Sequence, residues 1–441
     1  MPNNSNARGI FATSVFLQGE SMKNNQIAII GGGSAGLFAS VIAGRLGLKV
    51  SVYEKNTKLA RKLNITGKGR CNVTNVSDKE TFFKNIRRNA KFFYSSYAKF
   101  NNRDTMDFFE DLGLALKVER GGRVFPISDK ASDVSLALID EAKKLGVKFY
   151  KNMPLLDLTV EESGGYTLKF PQGKRHYLAV IIATGGKSYP LTGSTGDGYQ
   201  FAKKLELDLE PPRPALVPLV VEEKWLYHLQ GLSLKNVRLT LSSRQGKKIG
   251  TDFGEMLFTH FGISGPITLS LSGACSDYWL KEEVPILAEL DLKPALSLEQ
   301  LVARLEREIE KEPKKTLVTL MRHLLPQSMV EVFLKFVALE GKKVNTTLSK
   351  KDKAKLAWGL KHFSFTVKET RPFKEAIITS GGVSIKALDP KTMMVKSKPG
   401  LFFIGEVIDM DAYTGGYNLQ LAFSTAYSAA HGAYTYLKEE N

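Results

Sequence analysis

Cysteine is scarce. Two thiols, Cys71 and Cys275, in 441 residues are too few for a disulfide scaffold, and no C-x-x-C spacing offers a thiol-redox centre. That usage fits a reducing, cytoplasmic compartment. The six histidines are scattered, with no H-x-x-x-H pattern and no paired cysteines, so no metal site is expected. Long apolar runs are missing too. Residues 27–44 carry no charge, but Gly31, Gly32, Gly33, Gly36 and Gly44 punctuate them, and a spanning helix needs about 20 apolar residues. No membrane span is expected. Acidic residues are outnumbered, 45 against 62 basic ones, which leaves +17 and predicts an anionic partner: a nucleotide, an acidic substrate, nucleic acid or a membrane surface.

What is present is an ordinary globular composition, 43% hydrophobic and 24% charged, long enough to bury a core without staples. At about 150 residues per domain it suggests three domains, or two with one split. Residues 1–21 are polar and irregular without a cleavage site, and Met22 stands just ahead of the first strand pattern, so residues 1–25 are set aside as a disordered leader.

From there the pattern alternates. An apolar strand at 26–30 leads through glycines to a helix at 34–46, where Ala35, Ala39 and Ala43 repeat every four residues; a second strand covers 49–54. Helices follow near 81–100, 103–112 and 132–146, and strand patterns near 115, 123, 147, 155–160, 166–170 and 177–182. Three prolines in four residues, Pro211, Pro212 and Pro214, place a boundary at 210. Residues 216–291 alternate like strands. Ser297 with Gln300 has capping-box spacing, and helices continue to about 359. Strands resume at 363–367, 375–379 and 400–404, and a last helix covers 418–437. The expected fold class is α/β, with a strand–turn–helix–strand opening, a strand-rich region after the boundary at 210 and an all-α insert.

The chemistry starts at Gly31-x-Gly33-x-x-Gly36, between strand and helix. The first glycine permits a tight turn, the second lets backbone approach a pyrophosphate, and the third lets helix meet sheet. Ser34 and Ala35 open the helix, whose N-terminal N–H groups and dipole favour phosphate. Glu54, eighteen residues past Gly36, ends the second strand, where a carboxylate accepts ribose hydroxyls. Two later strand ends, Thr184-Gly185-Gly186 and Gly405-Glu406, and a helix start at Gly415-Gly416-Tyr417-Asn418-Leu419 suit a longer ligand. A flavin dinucleotide needs its pyrophosphate at the first turn, its ribityl hydroxyls on a carboxylate, and its ring edge at a helix N-terminus. There the dipole stabilises negative charge on the reduced ring.

The run of GGGSAG (31–36), KLNITGKGRCNVTN (62–75), GRVFPISDKASDV (122–134), ATGGKSYPLTGSTGDG (183–198), GEMLFTHFGISGP (254–266) and GEVIDMDAYTGGYNLQLAFSTA (405–426) resembles the BaiN/RdsA-type flavoproteins, NAD(P)/FAD-dependent oxidoreductases also described as aminoacetone-oxidase-like FAD-binding proteins. The resemblance covers essentially everything after Met22. It implies a Rossmann-like FAD-binding domain split between 26–209 and 372–441, an inserted β-rich domain (210–295 and 361–371) carrying a helical subdomain (296–360), and FAD contacts at Asp197, Glu406, Asn418 and Leu419, but says little of the substrate.

Beside Glu54 lies a basic cluster, Lys55, Lys58, Arg61, Lys62, Lys68 and Arg70. Thr66, Gly67, Cys71 and Asn72 share its loop, where glycines indicate close backbone approach. Lys55, Lys62, Arg70, these loop neighbours and Leu155 complete the cofactor-binding candidates. His260, next to the Gly262/Gly265 turn, is placed for proton chemistry, and Arg70 is the second catalytic candidate. A second G-x-G-x-x-G is lacking, so NAD(P)H would visit as a transient electron donor. The expected protein is an FAD-dependent oxidoreductase acting on a small-molecule substrate. The alternatives are an amine-type oxidase releasing peroxide, a nucleic-acid-associated flavoprotein and a silent flavin-bound sensor. Nucleic acid is disfavoured because the lysines at 342–355 lack interleaved aromatics. Oligomeric state is left open.

Overall fold

Residues rich in Ile and Val with no polar alternation form strands buried on both faces, and they do so here. In the computed structural model, which describes residues 26–440 apart from Glu283, five parallel strands make one sheet. Their order is Leu401–Phe403, Ala179–Ile182, Gln26–Ile30, Lys49–Tyr53, Lys148–Tyr150. The expected leader lies outside the described residues. Ile27 pairs with Ala179 on one side and Val50 on the other. The helix Ser34–Arg45 packs its buried Ala35, Ala39 and Ala43 face inward, and the long helix Tyr417–Glu439 lies against it. Because the strands are parallel, their carboxyl ends share one edge. That edge gathers residues 30–34, 53–56, 183–185 and 404–406, the crevice where open α/β sheets bind ligands.

The prolines at 211–214 lie inside a strand. Leu209–Ala215 pairs antiparallel with Ile378–Val383, and the register shifts between Glu210 and Arg213. Pro211 and Pro212 sit in that irregularity, where a missing N–H costs no ladder bond. Beyond it six strands close a barrel: Leu219–Val221, Gly262–Ser264, Lys248–Phe258, Ser233–Ser242, Ile286–Asp291 and Phe363–Thr370.

The strand-like reading of 216–291 needs one correction. Pro266–Trp279 is an α-helix, entered through Gly265 at φ +91° with Pro266 at its first turn. Its serines, threonine and glycine are weak helix formers, but Ile267, Leu271 and Cys275 are buried against the barrel, and packing decides. Between the last two barrel strands four helices form an insert: Leu298–Lys311, Leu317–Arg322, Gln327–Phe336 and Lys350–Lys361. The Ser297/Gln300 capping box is present in both directions. No described helix is long and apolar enough to cross a membrane.

Candidate functional site

The first turn is built by backbone demands. Gly31 has φ +108°, and a Cβ there would come within 2.5 Å of the Ala183 carbonyl oxygen. A Cβ on Gly36 would stand 1.9 Å from the Gly31 oxygen, so helix and turn touch only because both are glycine. Gly33 differs: a Cβ there would meet nothing within 4 Å, and the residue lines a cavity of about 760 Å³. Glu54, 8% exposed, accepts from the Gly32 N–H at 2.9 Å, the Asn56 N–H at 2.8 Å and Asn56 Nδ2 at 2.6 Å. These donors fix the carboxylate at the cavity wall.

The C-terminal third supplies the opposite wall. Glu406 accepts from Ser188 Oγ at 2.7 Å and the Thr379 N–H at 2.7 Å, and pairs with Lys62 Nζ at 2.5 Å. Lys55 pairs with Asp197 at 2.7 Å. The helix Tyr417–Glu439 starts after Gly416 at φ +99°, with its first-turn N–H groups at the cavity. Asn418 spends its side chain on the preceding loop, accepting from the Ala412 N–H at 3.0 Å and donating to its carbonyl at 2.8 Å. Only its main chain is left for a ligand.

Of the 24 cofactor-binding candidates, 21 line this one cavity: Gly31, Gly33, Ser34, Ala35, Glu54, Lys55, Lys62, Thr66, Gly67, Arg70, Asn72, Leu155, Thr184, Gly185, Asp197, Gly405, Glu406, Gly415, Gly416, Asn418 and Leu419. Four named residues lie elsewhere. Gly36 sits under the turn. Gly186 lets Thr379 and Glu406 approach, a Cβ there falling 2.3 Å from Thr379 Oγ1. Cys71 is fully buried, and burial pushes its thiol up to about 12, so it stays protonated at neutral pH. His260 is exposed near one end of the barrel, its ring against Phe261, and is not in the lining. Its turn belongs to the barrel, none of whose strands lines the cavity; the lining comes nearest to it at Leu216, Ile377 and Ile378, in the segments that lead into and out of the barrel.

Arg70 lines the cavity but is engaged. Its guanidinium donates to Glu119 and to Asp129 (2.6 Å) and stacks over Phe125 at 4.3 Å. Its hydrogen bonds to these carboxylates raise its pKa further above the usual range, so it is a fixed cation that ties the 61–75 loop to the hairpin at 116–126. Asn85, Phe125, Met410, Arg120 and Arg123 also line the cavity and were missed by sequence reasoning. The one signal for the arginines was Gly121-Gly122 between them, both at positive φ, a tight turn that points two cations the same way.

Does this cavity suit FAD? Two buried side-chain oxygens in its lining, Asn72 Oδ1 and Thr184 Oγ1, have no partner among the described residues. Such atoms call for a ligand's hydroxyls or amides. The open Cβ position at Gly33 and the oriented Glu54 carboxylate match a pyrophosphate and a ribose in turn. The residues fit a dinucleotide. No group of three or more His, Cys, Asp or Glu residues that could hold a metal ion occurs among the described residues.

A doubly wound domain whose two chain ends build one dinucleotide cavity defines a nucleotide-binding oxidoreductase fold. The profile described as "HI0933-like protein Rossmann domain" matches residues 25–432, and the chain belongs to that family of FAD-dependent oxidoreductases, the BaiN/RdsA type. It is similar to a ribosomal RNA dihydrouridine synthase of Haemophilus influenzae, 32% identical over 91% of this chain and 96% of that one. It also resembles one of Escherichia coli carrying the same description, 31% identical over 93% and 98%. A 3-dehydro-bile acid delta(4,6)-reductase of Clostridium scindens is 29% identical over 93% and 99%.

Proposed function

We propose that the protein is an FAD-dependent reductase that saturates a carbon–carbon double bond conjugated with a carbonyl, with uridine in ribosomal RNA as its substrate. The carrying observation is the charge of the cavity mouth. Its lining holds Lys55, Lys58, Arg61, Lys62, Lys68, Arg70, Arg120 and Arg123 against only Glu54, Asp197 and Glu406. The carboxylates of Asp197 and Glu406 are consumed by Lys55 and Lys62. Arg70 and Arg123 are paired with Glu119 and Asp129 beyond the lining, which leaves Lys58, Arg61, Lys68 and Arg120 with no carboxylate partner among the described residues. A dinucleotide's two phosphates do not account for so many cations; a polyanionic substrate does. The names of the relatives, a dihydrouridine synthase and a delta(4,6)-reductase, share this bond chemistry.

FAD, when bound, supplies a two-electron carrier that a nicotinamide donor reduces and the substrate's double bond reoxidises. The net change is NAD(P)H, a proton and the unsaturated ring to NAD(P)⁺ and the saturated ring. The turn at Gly31–Ala35 would hold the pyrophosphate and Glu54 the adenosine ribose. The first turn of the C-terminal helix would face the flavin's pyrimidine edge. Lys62, fixed by Glu406 and Ser188, places a positive charge on the opposite wall. Phe125, Ile378 and Met410 give the substrate side an apolar face that excludes water. Arg70 acts as a positioning residue for that wall.

The same apolar face favours a second reading, in which a small cyclic enone is reduced and RNA is not touched. One experiment separates them. The FAD-loaded protein is incubated anaerobically with NADPH and either unmodified ribosomal RNA or a steroid enone, and products are weighed by mass spectrometry. Nucleosides two hydrogens heavier than uridine support the proposal. A saturated steroid with unchanged RNA supports the second reading. Flavin that NADPH leaves oxidised, while an amine bleaches it, removes both.

A further inference from the structure

The lysine run at 342–355 takes no part in the cavity, and the structure changes its meaning. In the helix Lys350–Lys361, Lys351, Lys355 and Trp358 are spaced by four and three, which puts them on one face. All three are exposed, Trp358 by 50%, unusual for a residue type that is mostly buried. Its indole stacks on Phe336 at 6.5 Å and on His362 at 5.1 Å between ring centroids. Trp358, three residues past the lysine run, thus shares a helix face with it, and the fold adds Phe336 from the neighbouring helix.

The charge around them is uncompensated. Lys343 pairs with Asp352 and Lys353 with Glu306, but Lys342, Lys350, Lys351 and Lys355 have no partner among the described residues. Helix stability does not explain the placement. Cations in a first turn oppose the dipole, and Lys350 and Lys351 occupy that turn. We infer that this lysine–tryptophan face is a docking surface for RNA, apart from the cavity, with lysines on phosphates and Trp358 against a base or ribose. The inference rests on RNA being the substrate. It gives a long substrate a second point of attachment on the helical insert.

The test uses the full-length, FAD-loaded protein and unmodified ribosomal RNA in a filter-binding series across salt. The double variant Lys351→Glu/Lys355→Glu is expected to bind at least tenfold more weakly, with a salt slope lower by about two. Trp358→Ala is expected to lose about fivefold in affinity with the slope unchanged. Flavin absorbance and NADPH oxidation with an artificial acceptor stay at wild-type level in both. If the wild type saturates uridine in RNA and the double variant binds RNA equally well, the docking surface is wrong and the proposed reaction stands. If the wild type leaves RNA untouched and unbound, both fall. Loss of binding to phosphatidylserine vesicles, with RNA affinity intact, would also overturn it, in favour of a membrane.

Discussion

Gly33 and Gly36 stand three residues apart in one motif, and the structure gives them opposite failure modes. A methyl at Gly36 would press on the Gly31 carbonyl oxygen, 1.9 Å away, a backbone atom that cannot swing aside. Gly36→Ala should therefore cost about 1–3 kcal/mol of stability and leave the turn misshapen, with flavin lost as a consequence. A methyl at Gly33 meets no protein atom within 4 Å and occupies the cavity surface instead. Gly33→Ala should melt like the wild type when both are stripped of flavin, yet bind FAD at least tenfold more weakly. Thermal melts of the apoproteins beside flavin titrations check the pair. A Gly33→Ala protein with wild-type FAD affinity would remove the pyrophosphate from this turn.

The helix Lys350–Lys361 shows how an element survives unfavourable charge. Asp352 accepts from Lys343 Nζ at 2.7 Å, from the Ser349 N–H at 2.9 Å and from Ser349 Oγ at 2.9 Å, completing a capping box. The Lys343 bond first, then those from Ser349, lower its carboxyl to about 2. Its folded pKa lies below the unfolded value near 4, so its stabilisation is present above pH ~4 and disappears as pH falls towards 2. Asp352→Asn should cost about 1 kcal/mol at pH 7, and the gap to wild type should close between pH ~4 and 2. Melts at pH 7 and pH 2.5 test it; a gap of constant size would show that the carboxylate's charge is irrelevant.

The helix Leu298–Lys311 behind its Ser297 cap, and the turn at 31–36, were legible because their determinants are local: a cap residue, a glycine spacing, an apolar run. The cavity wall at the carboxyl ends of the strands was legible for the same reason, since each part is a strand end followed by a turn. The helix Pro266–Trp279 was not, because its small polar residues are helical only through packing on the barrel. Nor were Phe125, Met410 and Arg120, which reach the cavity from segments with no sequence mark of proximity. His260 was chosen from its local motif, but which elements a turn faces is decided by tertiary contacts.

At the scale of the molecule, the barrel is fastened to the sheet domain by charge. Asp277, on the barrel's helix Pro266–Trp279, receives Arg87, Arg88 and Arg213. Arg87 also donates to Asp411 at 2.6 Å, and Arg88 to Asp409 at 2.9 Å, both just ahead of the Gly415-Gly416 turn. Seating of the barrel and shape of the 409–416 loop at the cavity thus share two guanidiniums. Burial pushes the Asp277 carboxyl up, but Arg87 and Arg213 outweigh it and hold the carboxyl below its ordinary value, so Asp277 is charged at neutral pH and its ion pairs weaken only under acid.

Removing Asp277 leaves the nearly buried Arg213 without a carboxylate and Arg87 with Asp411 alone, their side chains being 7% and 10% exposed. Breaking a fully buried pair costs about 3–5 kcal/mol, and since Asp277 itself is a third exposed, about 2 kcal/mol is the expectation here. Asp277→Ala should lower the melting temperature and weaken FAD binding several-fold through the loosened 409–416 loop, although residue 277 lies outside the cavity lining. Calorimetry should then show the barrel and sheet domain beginning to unfold separately. Unchanged melting with unchanged FAD affinity would mean that apolar contact alone seats the barrel and that the 409–416 loop holds its shape without the arginines.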